Sequence, residues 1–213
     1  MISFFIDTCT SFVTLALLKD GKLINKKCII SNNDLSNNLF EHIESLFMEK
    51  EVLPKSVQRI YVGVGPGSFT GVRIGLTVAK TYAYLLGIKI YPISSLEIMT
   101  SNINEKSIGI IDARRGYVYA GGYEKSNNFF KDTYIKLEDL RKMYPDLKYV
   151  SNDTFNFEVV KPDIDIEYLV AKHTESLEPN LVNPNYLKIT EAEANLNNGN
   201  IWNKKYQWNQ LWN

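Results

Sequence analysis

Residues 60–75 constrain the fold more than any other stretch, because a strand, a glycine turn and a helix start follow one another directly. The run at 60–64 is short and apolar, which is typical of a buried strand. The Gly-Pro-Gly triplet at 65–67 ends the strand, and Ser68 or Thr70 can cap the helix that follows. Such a junction has two uses: its amides bind a phosphate, or its glycines let two backbones pack closely.

The glycine turn lacks the other residues of a phosphate-binding loop. Val72 and Arg73 follow Gly71, where a G-x-x-x-x-G-K-[ST] loop carries lysine and a hydroxyl residue. Thr70 stands where the third glycine of a dinucleotide-binding loop is needed. Nucleotide binding at this loop is therefore disfavoured, and no cofactor is predicted.

The helix predicted over 69–86 carries a ridge of small residues at intervals of four. These residues are Gly71, Gly75, Ala79 and Ala83. They share one helix face, and a glycine within a helix costs roughly 1 kcal/mol relative to alanine. The ridge therefore indicates close packing, and two alternatives stay open: contact inside the same domain, or contact with a helix of another chain. Arg73, near the unfavourable end of the helix dipole, predicts an acidic group nearby in this chain or in a partner.

Composition excludes several classes of protein. The 213 residues contain 24 Lys+Arg and 24 Asp+Glu, and this zero net charge argues against broad nucleic-acid binding by the chain alone. A local basic patch, or a basic partner, stays possible. The start of the chain lacks the basic region of a signal peptide, and no apolar run is long enough to span a membrane, so we predict a cytoplasmic protein. Cys9 and Cys28 are expected to be buried thiols.

Hydrophobic periodicity predicts the order β-β-β-α-β-α-β for the first half. The strands are expected at 2–7, 12–19, 22–30, 58–64 and 88–92, and the helices at 35–50 and 69–86. This order is the core of the ribonuclease-H-like half-domain, and two such halves make the actin-like (ASKHA) α/β fold. The second half is predicted to be smaller and degenerate, with strands at 107–112, 117–124, 134–137 and 148–151 and helices at 138–143 and 166–173. We expect a partner-binding unit at 1–98, a second unit at 99–190 and an Asn- and Trp-rich tail at 191–213.

Several segments resemble the TsaB (YeaZ) family. The matching pieces are residues 65–75, Ile6-Asp7-Thr8, Ser94-Ser95-Leu96, the run 112–119 and Pro184-Asn185-Tyr186-Leu187-Lys188. They occur in the family's order from residue 2 to about residue 188, and the eleven-residue block is highly specific. Leu35 and Ser36 depart from the family, in which many members carry His followed by Ser or Thr.

The resemblance implies a non-catalytic subunit for threonylcarbamoyladenosine synthesis at position 37 of tRNA. Such a subunit pairs with the TsaD transferase through N-terminal helices, TsaE joins the pair, and tRNA is bound through the complex; relatives also form homodimers. The predicted partner interface is Leu39, Ile43, Gly71, Arg73, Gly75, Ala79 and Ala83. The signature loop is Gly65, Pro66, Gly67, Ser68, Phe69 and Thr70.

The residues themselves favour a chain without catalysis. The stretches after Asp7 and after Asp112 lack the glycine of a D-x-G-[ST] phosphate loop. His42 and His173 have no second histidine nearby in sequence, so each is expected to be a surface residue and no metal is predicted. Asp7 and Asp112 are either relict active-site carboxylates or turn residues.

Two alternatives to the scaffold subunit remain. One is a stand-alone homodimeric binding module, since a ridge of small residues suits a homodimer equally well. The other is a residual ATPase or metallopeptidase-like hydrolase, suggested by the fold. Arg114 and Arg115, in a tight turn, either contact an anionic partner such as tRNA or form a solvated hairpin tip.

Overall fold

The structure, a computed structural model, describes residues 1–30, 35–125 and 127–188. The predicted tail at 191–213 and the side chain of Leu35 lie outside the described residues. Within the described ranges, no helix has both the length and the apolar character needed to cross a membrane.

Strands and helices follow one another in both halves of the chain. The strands are β1 Ile2–Asp7, β2 Phe12–Lys19, β3 Lys22–Ile30, β4 Val57–Gly63, β5 Ile90–Ile93, β6 Ser107–Asp112, β7 Tyr117–Glu124, β8 Asn127–Lys136 and β9 Lys148–Val150. The α-helices are α1 Leu35–Met48, α2 Phe69–Leu86, α3 Ser95–Thr100, α4 Leu137–Met143 and α5 Ile166–Lys172. Short 3-10 turns lie at Pro54–Ser56 and Pro179–Leu181.

The first half is a five-stranded sheet of order β3-β2-β1-β4-β5. β1, β2 and β3 form an antiparallel meander, and Asp20 and Gly21 make the turn between the last two strands. β4 pairs in parallel with β1, and β5 in parallel with β4. Parallel neighbours need a crossover connection, which α1 and α2 supply. The predicted order β-β-β-α-β-α-β is confirmed.

The central strand β1 is buried on both faces. Phe4 and Ile6 pack into the core beneath α1 and α2. Phe5, on the opposite face, packs with Tyr61 and with Leu169 of α5. Burial on both faces explains why this strand is a continuous apolar run without polar alternation.

The second half is a four-stranded sheet of order β8-β7-β6-β9. The first three strands are antiparallel neighbours, and β9 pairs in parallel with β6. Leu140 of α4 packs with Ile108 and Ile110 on one face. On the other face, Leu96 and Met99 of α3 pack against Tyr123. The sheet is thus covered by one short helix on each side.

Three sequence-based expectations need correction. β8 begins at Asn127, well before the predicted 134, because irregular pairing with β7 interrupts the alternation that would reveal the strand. α3 was not predicted, since six residues are too few for a helical period. Cys28 is exposed on the edge strand β3, whereas Cys9 is buried as expected.

Candidate protein-interaction site

The signature loop joins β4 to α2 and is closed by helix-capping bonds. Gly65 has a φ of 93° and Gly67 a φ of 157°, both in a region that L side chains rarely adopt. Ser68 is the N-cap of α2, and its hydroxyl oxygen accepts a hydrogen bond from the Gly71 amide at 3.2 Å. Of the two predicted caps, Ser68 is therefore the one used.

The glycines let the segment after β1 pack directly on the start of α2. A Cβ at Gly67 would overlap the Cys9 carbonyl oxygen, and one at Gly71 would overlap that of Thr8. The Ser68 amide donates to the Cys9 carbonyl at 2.8 Å, and the Thr8 hydroxyl donates to the Gly71 carbonyl at 2.6 Å. The chain's own backbone therefore occupies the place where a phosphate would meet the helix N-terminus.

The ridge of small residues faces the interior of its own chain. Gly71, Gly75, Ala79 and Ala83 are all buried. Gly75 packs against the Thr8 side chain, whereas Ala79 and Ala83 belong to the core beneath α1 and α2. The alternative of packing inside the same domain is the one observed.

The two predicted interface residues of α1 are also covered. Leu39 is 1% exposed and Ile43 is 8% exposed. Their side chains fill the same core as the ridge. These two residues thus hold α1 onto the sheet within the chain. The partner interface expected on α1 and α2 stays a prediction.

Arg73 is exposed and contacts aromatic groups. Its guanidinium lies 3.8 Å from the centre of the Phe69 ring, and its Nε donates to the Tyr186 hydroxyl at 2.9 Å. Tyr186 also stacks on Phe69, with 5.2 Å between ring centres. Within the described residues Arg73 thus contacts an aromatic ring and a hydroxyl, and an acidic group in a partner stays a prediction. These contacts bring the segment before residue 188 onto the signature loop.

An apolar groove of about 740 Å³ opens beside α1. Phe40, Met48 and Leu53 are 65%, 63% and 60% exposed there. Single exposed apolar residues are ordinary, but a group of large ones around one groove marks an interaction surface. The groove is lined by Phe40, Glu41, Ile43, Glu44, Phe47, Met48, Glu51, Val52, Leu53, Pro54 and Tyr82.

Charge and an unpartnered hydroxyl further characterise the groove. Glu41, Glu44 and Glu51 lie along it, and its lining includes no lysine or arginine. The Tyr82 hydroxyl is buried without a hydrogen-bond partner among the described residues, and burial raises the pKa of Tyr82 to about 12. The groove is therefore apolar within and acidic at its edge.

Comparison with known proteins identifies the family. The model of the family described as "TsaD: tRNA N6-adenosine threonylcarbamoyltransferase" matches residues 30–187. A Bacillus subtilis relative, "tRNA threonylcarbamoyladenosine biosynthesis protein TsaB", is 29% identical over 218 residues, covering 89% of this chain and 95% of its own length. The chain belongs to the TsaB (YeaZ) family. The Escherichia coli TsaB is 28% identical over 128 residues, covering 58% of this chain and 55% of its own length.

Solved structures of the TsaB (YeaZ) family share the fold. "YeaZ from Pseudomonas aeruginosa" has a TM-score of 0.72 and 22% sequence identity, covering 87% of this chain and 99% of its own. A second structure, of a Pseudomonas aeruginosa protein described as similar to the peptidase YeaZ, gives a TM-score of 0.73, also at 22% identity, with coverage of 88% and 99%. The predicted actin-like (ASKHA) α/β fold is confirmed.

The carboxylate at the end of β1 is enclosed in this TsaB-family chain. Asp7 accepts hydrogen bonds from the Cys9 amide at 3.0 Å and from the Ser95 hydroxyl at 3.3 Å. A Cβ at Gly63 would overlap this carboxylate, and burial raises the pKa of Asp7. Asp112 is exposed and accepts from the Arg114 amide at 2.9 Å. Both aspartates thus make the contacts expected of turn residues, which was one of the two alternatives; the other was relict active-site carboxylates.

The sequence predicts a surface position for His173, but the structure shows it half-buried and in contact with Glu97. Its Nε2 lies 2.9 Å from Glu97 Oε1, which also accepts from the Lys172 ammonium at 2.9 Å. Burial acts to raise the pKa of Glu97, but hydrogen bonds from His173 and Lys172 hold it below its ordinary value. His42 is half-buried on α1. Among the described residues, no group of His, Cys, Asp or Glu is arranged to hold a metal ion.

The sequence does not reveal a partly buried polar cluster formed by Ser94, Tyr123 and Asp132. Asp132 accepts hydrogen bonds from the Ser94 hydroxyl at 2.5 Å and from the Tyr123 hydroxyl at 2.6 Å. Burial raises the pKa of Asp132. Ser94 belongs to one of the segments that resemble the family, but nothing in the sequence links it to an aspartate on a distant strand. The cluster fastens β8 to the start of α3.

Proposed function

We propose that this chain is a non-catalytic subunit of the machinery that makes threonylcarbamoyladenosine at position 37 of tRNA. It pairs with the TsaD transferase through α1 and α2, and the pair supports binding of TsaE and tRNA. Family membership supports the pathway, and the apolar groove beside α1 is the observation that carries the pairing role.

The groove fits a partner element with an apolar face and a basic edge. Phe40 and Met48 project from α1 and stay largely exposed, so a partner helix can remove both from water. Each buried side chain of this size contributes about 1.5–3 kcal/mol. Glu41, Glu44 and Glu51 would then meet lysine or arginine side chains at the edge of the partner.

The same charges disfavour the alternative of a homodimer through this groove. A two-fold interface places the same patch of each copy against the other. Two copies would bring Glu41, Glu44 and Glu51 of one chain close to the same carboxylates of the second. Like charges at an interface reduce affinity, so the groove favours a different, more basic chain over a second copy.

The filled signature loop supports a role without catalysis. Thr8 and Cys9 occupy the space at the start of α2, and Asp7 is enclosed by Gly63 and Ser95. A nucleotide phosphate at this place would have to displace the strand-end backbone from its hydrogen bonds with α2.

Light scattering during size-exclusion chromatography tests the proposal on the full chain mixed with TsaD from the same organism. Phe40→Asp is expected to abolish the heterodimer, because it puts a charge into the apolar groove. Met143→Asp is the matched control, since Met143 is 53% exposed on α4, outside α1 and α2, and does not line the groove. Circular dichroism verifies that both variants are folded.

The outcomes separate the alternatives. A wild-type heterodimer that is lost only in Phe40→Asp supports the proposal. If the wild type forms no complex with TsaD, the pairing role is refuted; a wild-type homodimer in its place supports the stand-alone module. If Phe40→Asp pairs normally, the family assignment stands and the groove is not the interface.

A further inference from the structure

The second sheet carries three tyrosines on the face against which α3 packs, and Tyr119 lies at the edge of the cluster that Leu96 and Met99 form there. Tyr117 and Tyr119 of β7 and Tyr134 of β8 are half-buried, and we call these three residues the tyrosine face. They point to the same side, because Tyr119 lies opposite Tyr134 in the antiparallel register and Tyr117 follows at an interval of two. None of the three is covered completely by the described residues.

The rings of the tyrosine face are stacked and accompanied by cations. Tyr117 and Tyr134 are nearly parallel, with 4.7 Å between ring centres and 9° between planes. The Lys136 ammonium lies 5.9 Å from the centre of the Tyr117 ring, and that of Lys188 lies 5.6 Å from the centre of the Tyr134 ring. Stacked rings with flanking ammonium groups are complementary to flat bases joined by phosphates.

Arginines occupy strained positions in the turn that leads into Tyr117. Arg114 and Arg115 have φ values of 67° and 55°, and Gly116 follows at 76°. Non-glycine residues adopt this conformation at a cost in backbone energy that glycine avoids and asparagine reduces. The turn is closed by bonds from the Ala113 amide to the Tyr117 carbonyl and from the Tyr117 amide to the Arg114 carbonyl. Backbone preference therefore does not explain why arginine stands at these two positions.

Acidic groups also lie near this face, and Asp153 accepts a hydrogen bond from the Asp112 amide. Asp112 accepts the Arg114 amide within the turn. Glu138, two residues after Lys136, forms an ion pair with Lys142 at 2.7 Å. Lys136 and Lys188 nevertheless lie directly at the rings of the tyrosine face, and Arg114 lies in the turn that leads into it.

We propose that the tyrosine face binds single-stranded RNA directly. Unpaired bases displace the ammonium groups of Lys136 and Lys188 from the outer faces of Tyr117 and Tyr134 and stack there. The displaced ammonium groups and Arg114 then pair with the phosphates. A duplex does not fit this chemistry, because its bases already stack on one another. This proposal rests on the proposed function only for the natural RNA, which would be tRNA, whose loops offer unpaired bases. Binding itself is measured on this chain without TsaD. Either proposal can therefore fail while the other stands.

Fluorescence anisotropy of the full chain tests the proposal with a labelled uridine oligonucleotide of about 15 nucleotides. Tyr117→Leu and Tyr134→Leu are expected to weaken binding on the order of 5- to 150-fold each, the range found for loss of one stacked base. Phe129→Leu is the matched control. Phe129 lies on β8 outside the tyrosine face, is 37% exposed and has Lys106 at 5.6 Å from its ring, so this variant is expected to bind like the wild type.

Charge variants separate electrostatic contacts from loss of structure. Lys136→Gln is expected to reduce the slope of log Kd against log salt by about 0.7, as for one lost phosphate contact. Arg114→Asn is expected to weaken RNA binding while leaving the melting temperature unchanged or higher, because asparagine tolerates the positive φ better. A purely structural role for Arg114 predicts a lower melting temperature.

Three results would overturn the proposal. The first is no binding of the oligonucleotide at about 100 μM protein and low salt, where nonspecific nucleic-acid binding is already measurable. The second is equal binding by wild type, Tyr117→Leu and Tyr134→Leu, or equal binding of a duplex of the same length. The third comes from acetylation of lysines by an N-hydroxysuccinimide ester, with and without RNA. If Lys136 and Lys188 are protected from acetylation without RNA, and RNA does not change this protection, another segment or protein covers the face.

Discussion

Thr8 is the residue on which the contact between β1 and α2 depends. Its hydroxyl donates to the Gly71 carbonyl at 2.6 Å, and its side chain fills the space beside Gly75. Cys9 continues the contact by accepting the Ser68 amide. Gly67 and Gly71 of the signature are therefore required by the close approach of two backbones.

Gly71→Ala is expected to lower the free energy of unfolding by about 1–3 kcal/mol, as overpacking does in a rigid core. The added Cβ would overlap the Thr8 carbonyl oxygen, a backbone atom that cannot rotate away. Alanine favours a helix by roughly 1 kcal/mol over glycine, so helix propensity alone predicts the opposite sign. Urea denaturation measures the change. Thr77→Ala, at an exposed position of α2, serves as the control and is expected to stay within about 0.5 kcal/mol of wild type.

At the scale of residues, the sequence predicts that a side chain makes a close contact better than it predicts the group it contacts. The spacing of Gly71 and Gly75 predicts a close contact correctly, because small residues at four-residue intervals have few other uses in a helix. Spacing does not say which backbone approaches, and here it is that of Thr8 in the same chain. The pairing of Asp132 with Ser94 was likewise beyond prediction, since it depends on how β8 and α3 meet in space.

At the scale of elements, the short helices of the second half are held by polar contacts. Glu97 of α3 accepts bonds from Lys172 at the end of α5 and from His173 just after it. Glu97 is 6% exposed, so its charge depends on these partners. The long elements α1 and α2 were predictable from apolar periodicity, whereas α3 has too few residues and owes its position to contacts remote in sequence.

The contact of Glu97 predicts a pH-dependent difference between wild type and Glu97→Gln. The pKa of Glu97 is below its ordinary value of 4.5 in the folded chain. Its ionised form therefore stabilises the fold above about pH 4.5, and this contribution is lost as the pH falls through the folded pKa. We expect wild type to exceed the variant in unfolding free energy by about 1–3 kcal/mol at neutral pH. Urea denaturation at several pH values measures the difference, and one that does not shrink toward pH 3 would contradict this account.

At the scale of the whole molecule, the segment at 177–188 returns to the first sheet. Leu177 and Ile90 exchange backbone hydrogen bonds at 2.8 and 3.0 Å. Farther along, the Asn185 amide donates to the Val64 carbonyl at 2.8 Å. The sequence predicts the two halves well, because each has its own run of strands, but not this return, which carries no periodic signal. The division near residue 98 stays a prediction.

Tyr186→Ala is expected to speed amide hydrogen exchange in the signature loop at 65–70. The variant removes the ring that stacks on Phe69 and the hydroxyl that accepts from Arg73. Aromatic pairs of this kind contribute about 0.5–1.5 kcal/mol, so loop protection should fall by roughly 2- to 13-fold. Mass spectrometry of peptides from this region measures the exchange. Tyr186→Phe keeps the ring and should show a smaller effect; equal effects of both variants would assign the protection to the hydroxyl alone.

The double burial of β1 has a consequence for synthesis on the ribosome. The five strands of the first sheet are complete once residue 93 has been made, but the helix that covers Phe5 and Tyr61 spans Ile166–Lys172. Contacts between segments so far apart in sequence form slowly, because a long loop must close first. During translation the nascent chain therefore carries an uncovered apolar surface on that sheet until Ile166–Lys172 has left the exit tunnel, and we expect chaperones to bind this surface in the interval.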